Sequence, residues 1–400
     1  MTRISNRGLQ MPQSPIRKLT PFAEKAKAKG IHVHHLNIGQ PDISTPKWAL
    51  DKVRSSTAEV IEYSDSAGEL SLRKAFVKYY EKYNIDVSVD DLMITYGGSE
   101  ALMICLLSCL NPWDEVIVPE PFYANYSSFA GAADIVVRPV TSTIENNFAL
   151  PPISDFEKLI GPRTKAILIC SPNNPTGYTY SEEELESLKN ICIKYDLFLI
   201  SDEVYREFYY SGDFAPSVLS LTGIDDKVIV IDSASKRYSM CGVRIGAIVS
   251  KNQEVMETSL KFGQSRLSPP YFGQVAVEAA LDAPDSYYKE VKSEYEKRKN
   301  ILTQELKKIP NIKFSQPFGA FYTMVKLPVN NSEEFCRWLL EEFSFEGETI
   351  MLTPGNGFYV TPGLGVQEVR IAYVINETKL KRAMKCLAEA LMAYPKKAEV

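Results

Sequence analysis

The chain is poor in histidine and lacks the spacings that hold metal. Its three histidines all fall in the stretch His32-Val33-His34-His35. With no H-E-x-x-H and no C-x-x-C elsewhere, the stretch reads as local structure and not as a metal site. Disulfide patterning is missing too. Seven cysteines, an odd number, lie in apolar segments such as ALMICLLSCL and AILIC, which is how buried thiols in a reducing compartment look. The N-terminus has no apolar stretch of signal-peptide length, and no run of eighteen apolar residues occurs, so we expect a cytoplasmic protein. An excess of positive charge is absent as well: a net charge of −5 argues against nucleic acid or an anionic membrane as partner. No internal repeat, low-complexity tract, Walker A loop or G-x-G-x-x-G is found.

What the chain has is length and apolar content. With 400 residues, 45% of them hydrophobic, it can bury a large core and should form one large domain with a smaller one. Strand-like runs occur at DLMITYGG, EVIVPE, DIVVRPV, KAILICSP, LFLISDEVY, VIVIDSASK and RIGAIVS, with helical patterns such as SEALMICLLSCL and SEEELESLKNICIKYD between several of them. Near-continuous Val/Ile/Leu strands alternating with helices predict an α/β fold with a mostly parallel sheet covered on both faces. We place this large domain at residues 46–290. The long amphipathic pattern SYYKEVKSEYEKRKNILTQELKKI then leads into a mixed segment, so residues 291–400 with the arm 1–45 are expected to form a smaller α+β domain.

Ligands of open α/β sheets sit outside the carboxyl ends of the strands. Polar residues collect at those ends in Gly97-Gly98-Ser99-Glu100, Pro119 to Tyr123, Ser171 to Gly177, Asp202 to Tyr205 and Ser233 to Lys236. The pair Gly97-Gly98 between a strand and a helix turns backbone N–H groups and the positive helix end toward an anion, and Ser99 adds a hydroxyl. Arg244, eight residues past Lys236 in CGVRIG, is costly to bury unpaired and fits the same anion. Asp202 follows LFLI, should be buried, and wants a cationic partner. Ser233-Ala-Ser-Lys236 also spells S-x-x-K, as in serine acyl-enzymes. The companion motifs S-D-N and K-T-G are missing, and Ser233 is read as ending a strand that gives way to a loop, not as opening a helix.

Seven ordered motifs, LNIGQPD, Y…AGELSLRKA, YGGSEAL, SPNNPTG, SDEVY, SASKRYSMCGVRIG and VRIAYV, resemble the fold-type I pyridoxal-phosphate-dependent aminotransferases of the class I/II family over nearly the whole chain. The resemblance implies a PLP-dependent transferase fold of type I and a pyridoxal 5'-phosphate cofactor bound covalently by Lys236. It assigns the phosphate to Gly98, Ser99, Ser233, Ser235 and Arg244, with Tyr63 reaching across a homodimer. Tyr123 would stack on the ring, Asn174 and Tyr205 would bond its oxygen, and Asp202 would pair with its nitrogen. Arg370 would hold the substrate α-carboxylate, helped by Asn174 and the backbone of Gly39. Lys236, Asp202 and Tyr205 are thus the expected catalytic residues, and the expected activity is a ping-pong transfer from an L-amino acid to a 2-oxo acid.

Aspartate with 2-oxoglutarate is the first expectation for substrate. Aspartate-using relatives can carry a lysine where this chain has Ser99. Arg266, before the Ser-Pro-Pro turn in SRLSPPYFG, lies in a region where other aspartate aminotransferases place a substrate-selecting arginine that reaches in from the partner subunit. Transamination of neutral or aromatic amino acids and a PLP-dependent lyase on the same fold are the alternatives. A non-catalytic effector-binding module would need an attached DNA-binding domain, and the first forty residues offer neither the length nor the basic helix for one.

Overall fold

The computed structural model describes residues 2–396 and 398. All seven strand-like runs enter one seven-stranded sheet, in the order Leu92–Thr95, Gly246–Val249, Val228–Ser233, Phe198–Asp202, Thr164–Cys170, Glu115–Glu120, Val136–Thr141. Five of these strands run parallel to one another as neighbours. Gly246–Val249 is antiparallel to both of its neighbours, so Leu92–Thr95 regains the common direction. Register then fixes the edge: Thr95 and Ser233 both face Gly246, while Cys170 faces Asp202 and Asp202 faces Ile231. The strand ends that carry polar residues therefore share one rim, as parallel pairing requires.

The alternation of side chains on each strand divides the core. Ile229 and Ile231 point to the face covered by helix Gly98–Cys109, packing in one cluster with Ala101, Leu102 and Cys105. Val228 and Val230 point to the opposite face and pack with Leu185, Leu188 and Ile191 of helix Glu182–Tyr195. That helix begins where the sequence says it should. Ser181 caps it through the N–H of Glu184, and the Glu184 carboxylate returns a bond to the N–H of Ser181, a reciprocal box that satisfies two otherwise orphaned donors.

A second, four-stranded antiparallel sheet has the order Thr353–Pro354, Glu368–Ala372, Tyr322–Lys326, Lys313–Phe314. His32–His35 forms a strand parallel to Glu348–Met351, and helix Thr20–Ala28 buries Ala23 and Ala26 in the same cluster as Leu339 and Ile350. The N-terminal residues thus complete the C-terminal part of the molecule. His34 Nε2 lies 2.9 Å from Glu348 in that strand pair, a structural use of the ring. The amphipathic pattern before it is the single helix Asp285–Leu306. Among the described residues no helix is long and apolar enough to cross a membrane.

One local expectation is corrected. Ser233 does not hand over to a loop: it caps a one-turn helix, Ala234–Arg237, through the N–H of Ser235. Four residues are too few for helical periodicity to register in a sequence. Its hydroxyl bonds Ser235 Oγ (2.9 Å) and the carbonyl of Ile245 (3.3 Å). A nucleophilic serine would instead be held by Lys236, so the acyl-enzyme reading falls on contacts as well as on motifs.

Candidate active site

The rim of the large sheet and the strand Glu368–Ala372 enclose a cavity of about 440 Å³. Gly39, Gly98, Ser99, Tyr123, Asn174, Asp202, Tyr205, Ser233, Ser235, Lys236, Arg244 and Arg370 all line it. Residues spread over more than three hundred positions meet because strand ends, a helix start and the second sheet converge there. Tyr63 and Arg266 are not brought to it.

Lys236 sits on the one-turn helix with its Nζ directed into the cavity, donating to the carbonyl of Gly39 at 2.8 Å and lying 3.8 Å from Cys241 Sγ. Desolvation lowers its pKa, and the charges of Arg370 and Arg244 push the same way against the opposing influence of Cys241. A lysine so placed is more readily the neutral, nucleophilic amine. Asp202, at the end of its strand, accepts from Tyr126 Oη at 2.7 Å. Burial raises its pKa to about 6, although the Tyr126 hydroxyl and the Val204 N–H favour the carboxylate. The carboxyl is therefore ready for a positive partner that the chain itself does not press against it.

Arg370 is buried at the far wall. Its Nη1 donates to Asn174 Oδ1 at 2.8 Å, its Nη2 donates to the carbonyl of Asn37, and its Nε has no partner among the described residues. The guanidinium lies over the rings of Tyr322 and Phe358, and burial lowers its pKa. No carboxylate neutralises it within the described residues. Arg244 is likewise without an ion pair there: it donates to the carbonyls of Cys241 (2.9 Å) and Tyr96 (3.2 Å). Its own φ of 57° is in the left-handed region, a strained conformation for a residue with a side chain.

Two glycines make this arrangement possible. A Cβ on Gly97, whose φ is 76°, would lie 2.3 Å from Arg244 Nη2, so only glycine lets that arginine lie over the start of helix Gly98–Cys109. A Cβ on Gly39 would fall 1.6 Å from Tyr322 Oη, whose hydroxyl bonds that of Tyr205 at 3.0 Å.

Charge states the chemistry such a cavity serves. Arg17, Lys236, Arg244 and Arg370 line it against the single carboxylate of Asp202, so it is built for anions. At one end, the free N–H groups of a helix start, three serine hydroxyls and Arg244 fit a phosphate. At the other, the orphaned Nε of Arg370 fits a carboxylate. A cofactor carrying a phosphate, an aldehyde for Lys236 and a basic ring nitrogen for Asp202 fits the first of these ends and leaves Arg370 for a carboxylate.

Two expected residues stand apart. Tyr63 is 79% exposed. Arg266 is engaged within its own chain, paired with Glu100 at 3.2 Å and donating through Nη2 to the carbonyls of Ile94 and Ser66. Its Nη1 is nonetheless buried with no hydrogen-bond partner among the described residues, and the expected reach of Arg266 toward a neighbouring subunit's site is a property of the dimer, not of one chain. Other residues of the site escaped the sequence. Tyr126 and Tyr322 sit in apolar runs where tyrosine reads as core, and Arg17, in SPIRKL, carried no motif. Cys241, two residues before the VRIG stretch, was read only as a buried thiol.

A family model described as aminotransferase class I and II matches residues 31–387. The aspartate aminotransferase of Pyrococcus horikoshii is 33% identical over 97% of this chain and 97% of its own. Among solved structures, the aspartate aminotransferase from Thermotoga maritima is 32% identical with a TM-score of 0.89, over 98% of this chain and all of that one. The aspartate aminotransferase from Thermus thermophilus with maleate is 28% identical with a TM-score of 0.88, at the same coverage.

Proposed function

This chain belongs to the aminotransferase class I and II family, and from that premise we propose that it uses pyridoxal 5'-phosphate to move the amino group of aspartate or glutamate to a 2-oxo acid such as 2-oxoglutarate. Transamination itself follows from the family and from full-length relatives of that activity. The observation that carries the cofactor is the triple match of Lys236, Asp202 and Arg244 around one anion-demanding cavity. Gly98, Ser99, Ser233, Ser235 and Arg244 would hold the phosphate, Tyr123 the ring face, and Asn174 and Tyr205 the ring oxygen. When bound, the group supplies an electron sink for the carbanion formed at the substrate α-carbon.

The chain's own residues do the rest. Arg370, with Asn174 and the backbone of Gly39, binds the α-carboxylate and orients the α-C–H toward Lys236. The Lys236 amine, whose pKa is lowered by desolvation and by the nearby arginines, would take the α-proton and later give a proton back. Asp202, once faced by a ring nitrogen, ionises and holds a proton there. Running the same contacts backwards with a 2-oxo acid completes the second half-reaction, hence a ping-pong scheme.

Aspartate and glutamate are preferred because the cavity has more fixed cations than one phosphate and one α-carboxylate need. Likeness to aspartate aminotransferases, one of them with maleate, supports the same choice. We further propose a homodimer in which Tyr63 serves the neighbouring site. Mixing holoenzyme with a panel of single amino acids and reading both the cofactor absorbance and the 2-oxo acid released tests the function. Stoichiometric 2-oxo acid from aspartate and glutamate is expected; conversion with neutral amino acids alone would replace the substrate assignment, and no conversion with any would overturn the reading.

A further inference from the structure

Four residues, Ser14 to Arg17, carry the N-terminal segment across the mouth of the cavity, where Ser14, Ile16 and Arg17 all line it. The chain turns here, with the N–H groups of Arg17 and Lys18 both donating to the carbonyl of Ser14. The turn is held at three points. Pro15 packs on Gly357, where a Cβ would lie 2.3 Å from the proline ring. Asn37 Nδ2 donates to the carbonyl of Ile16 at 3.1 Å, and Lys18 pairs with Glu333 at 2.7 Å. Every neighbour of Arg17 is thus committed to the body of the protein, while the Arg17 guanidinium has no hydrogen-bond or ion-pair partner among the described residues. It is close enough to the ring wall for its charge to act on the Tyr123 phenol.

The turn is also joined to the α-carboxylate site. Asn37, whose side chain holds Ile16, gives its own carbonyl to Arg370 Nη2. A substrate seated on Arg370 therefore lies beneath a mouth whose unpaired cation is placed relative to that same anchor. Arg266 does not line the cavity of its own chain, and Arg17 is the cavity cation left over once Arg370 takes the α-carboxylate, Arg244 the phosphate and Lys236 the cofactor.

We infer that Arg17 is the specificity-determining residue that receives the distal carboxylate of dicarboxylic substrates, from within the same chain. The inference rests on the reading of aspartate and glutamate as substrates. Arg17 itself is exposed at the cavity mouth, but a cation held on a pinned turn loses little freedom on pairing, and a guanidinium–carboxylate contact is charge-assisted and can be bidentate.

The test is calorimetric binding to the holoenzyme of two unreactive ligands, maleate and isocrotonate, which share a skeleton but carry two carboxylates and one. In the unaltered protein maleate should bind more tightly. Arg17→Gln should weaken maleate by about fivefold and leave isocrotonate within about twofold, the upper range for an ion pair at an exposed cavity mouth. Arg17→Lys should retain part of the preference, and Lys29→Gln, which removes an exposed charge of the same N-terminal segment outside the turn, should not change it. If the unaltered protein prefers maleate but Arg17→Gln binds both ligands as before, or loses both equally, the role of Arg17 is overturned while the acidic-substrate reading stands. If the unaltered protein shows no preference, both fall together.

Discussion

Asp202 shows how a residue's environment anticipates its partner. Its carboxyl pKa, 3.8 ordinarily, is raised to about 6 by burial, so the cofactor-free fold holds this proton more tightly than the unfolded chain does. The favourable contribution is present below about pH 4 and is lost as pH rises toward 6. Asp202→Asn keeps the acceptor for Tyr126 and removes the buried charge. The cofactor-free variant should therefore be more stable than the unaltered protein at pH 8, by on the order of 2 kcal/mol, with the gain vanishing near pH 4. Urea unfolding of both cofactor-free proteins at the two pH values measures this; a pH-independent difference would contradict it. In the loaded enzyme the division of labour differs. Asp202→Ala should slow the half-reaction at saturating substrate by roughly a hundredfold or more, because its charge matters most as the ring gains electrons. Arg370→Ala should chiefly raise the dissociation constant of every α-carboxylate, whose charge is there throughout. Stopped-flow traces separate the two, and equal losses of saturated rate would undo the distinction. Asp202 was legible as a carboxylate after LFLI that burial leaves wanting a cation, whereas Arg370 was reached only through the resemblance of VRIAYV to the family. Arg17 was not legible: an arginine in a polar N-terminal stretch looks solvated until the fold brings it to a cavity.

At the scale of elements, the turn from strand Leu92–Thr95 into helix Gly98–Cys109 positions Arg244 at the proposed phosphate end. Gly97→Ala would add a Cβ 2.3 Å from Arg244 Nη2 at a φ of 76°. Arg244 must then move off the helix start, and the backbone strain adds about 1 kcal/mol or more. Cofactor affinity, followed by absorbance titration, should fall by about tenfold or more, with the fold retained by circular dichroism; unchanged affinity would show that Arg244 does not depend on this glycine. The strands themselves were readable because buried parallel strands are written as uninterrupted Val/Ile/Leu runs bounded by turn residues. The helix Ala234–Arg237 was hidden because one turn leaves no period. What remains of the site, such as the Tyr205–Tyr322 bond at 3.0 Å, joins a turn and a strand far apart in sequence, and only tertiary packing reveals it.

For the whole molecule, we propose the division already drawn at residues 46–290 and at 1–45 with 291–400, with the cavity between the two parts. The homodimer we propose explains the outward face of segment 60–63, where Val60 is 72% exposed and Tyr63 79%, an apolar patch unusual on a monomer's surface. Sedimentation should give a dimer at micromolar concentration, and mixing Lys236→Ala with Tyr63→Phe chains should restore activity in hybrids above that of either parent. A monomer, or exchange without recovery, would contradict shared sites. The family resemblance put Tyr63 across a dimer, but the exposure of its neighbours is a property of the folded chain that the sequence could not show. The central claim is that Lys236 binds the cofactor from which all the other roles are read. It is tested most directly by loading the protein with pyridoxal 5'-phosphate, reducing with borohydride and mapping peptides by mass. The account predicts the added pyridoxyl phosphate on Lys236 and abolition of that label by Lys236→Ala; stoichiometric label on another lysine, or none at all, would contradict it.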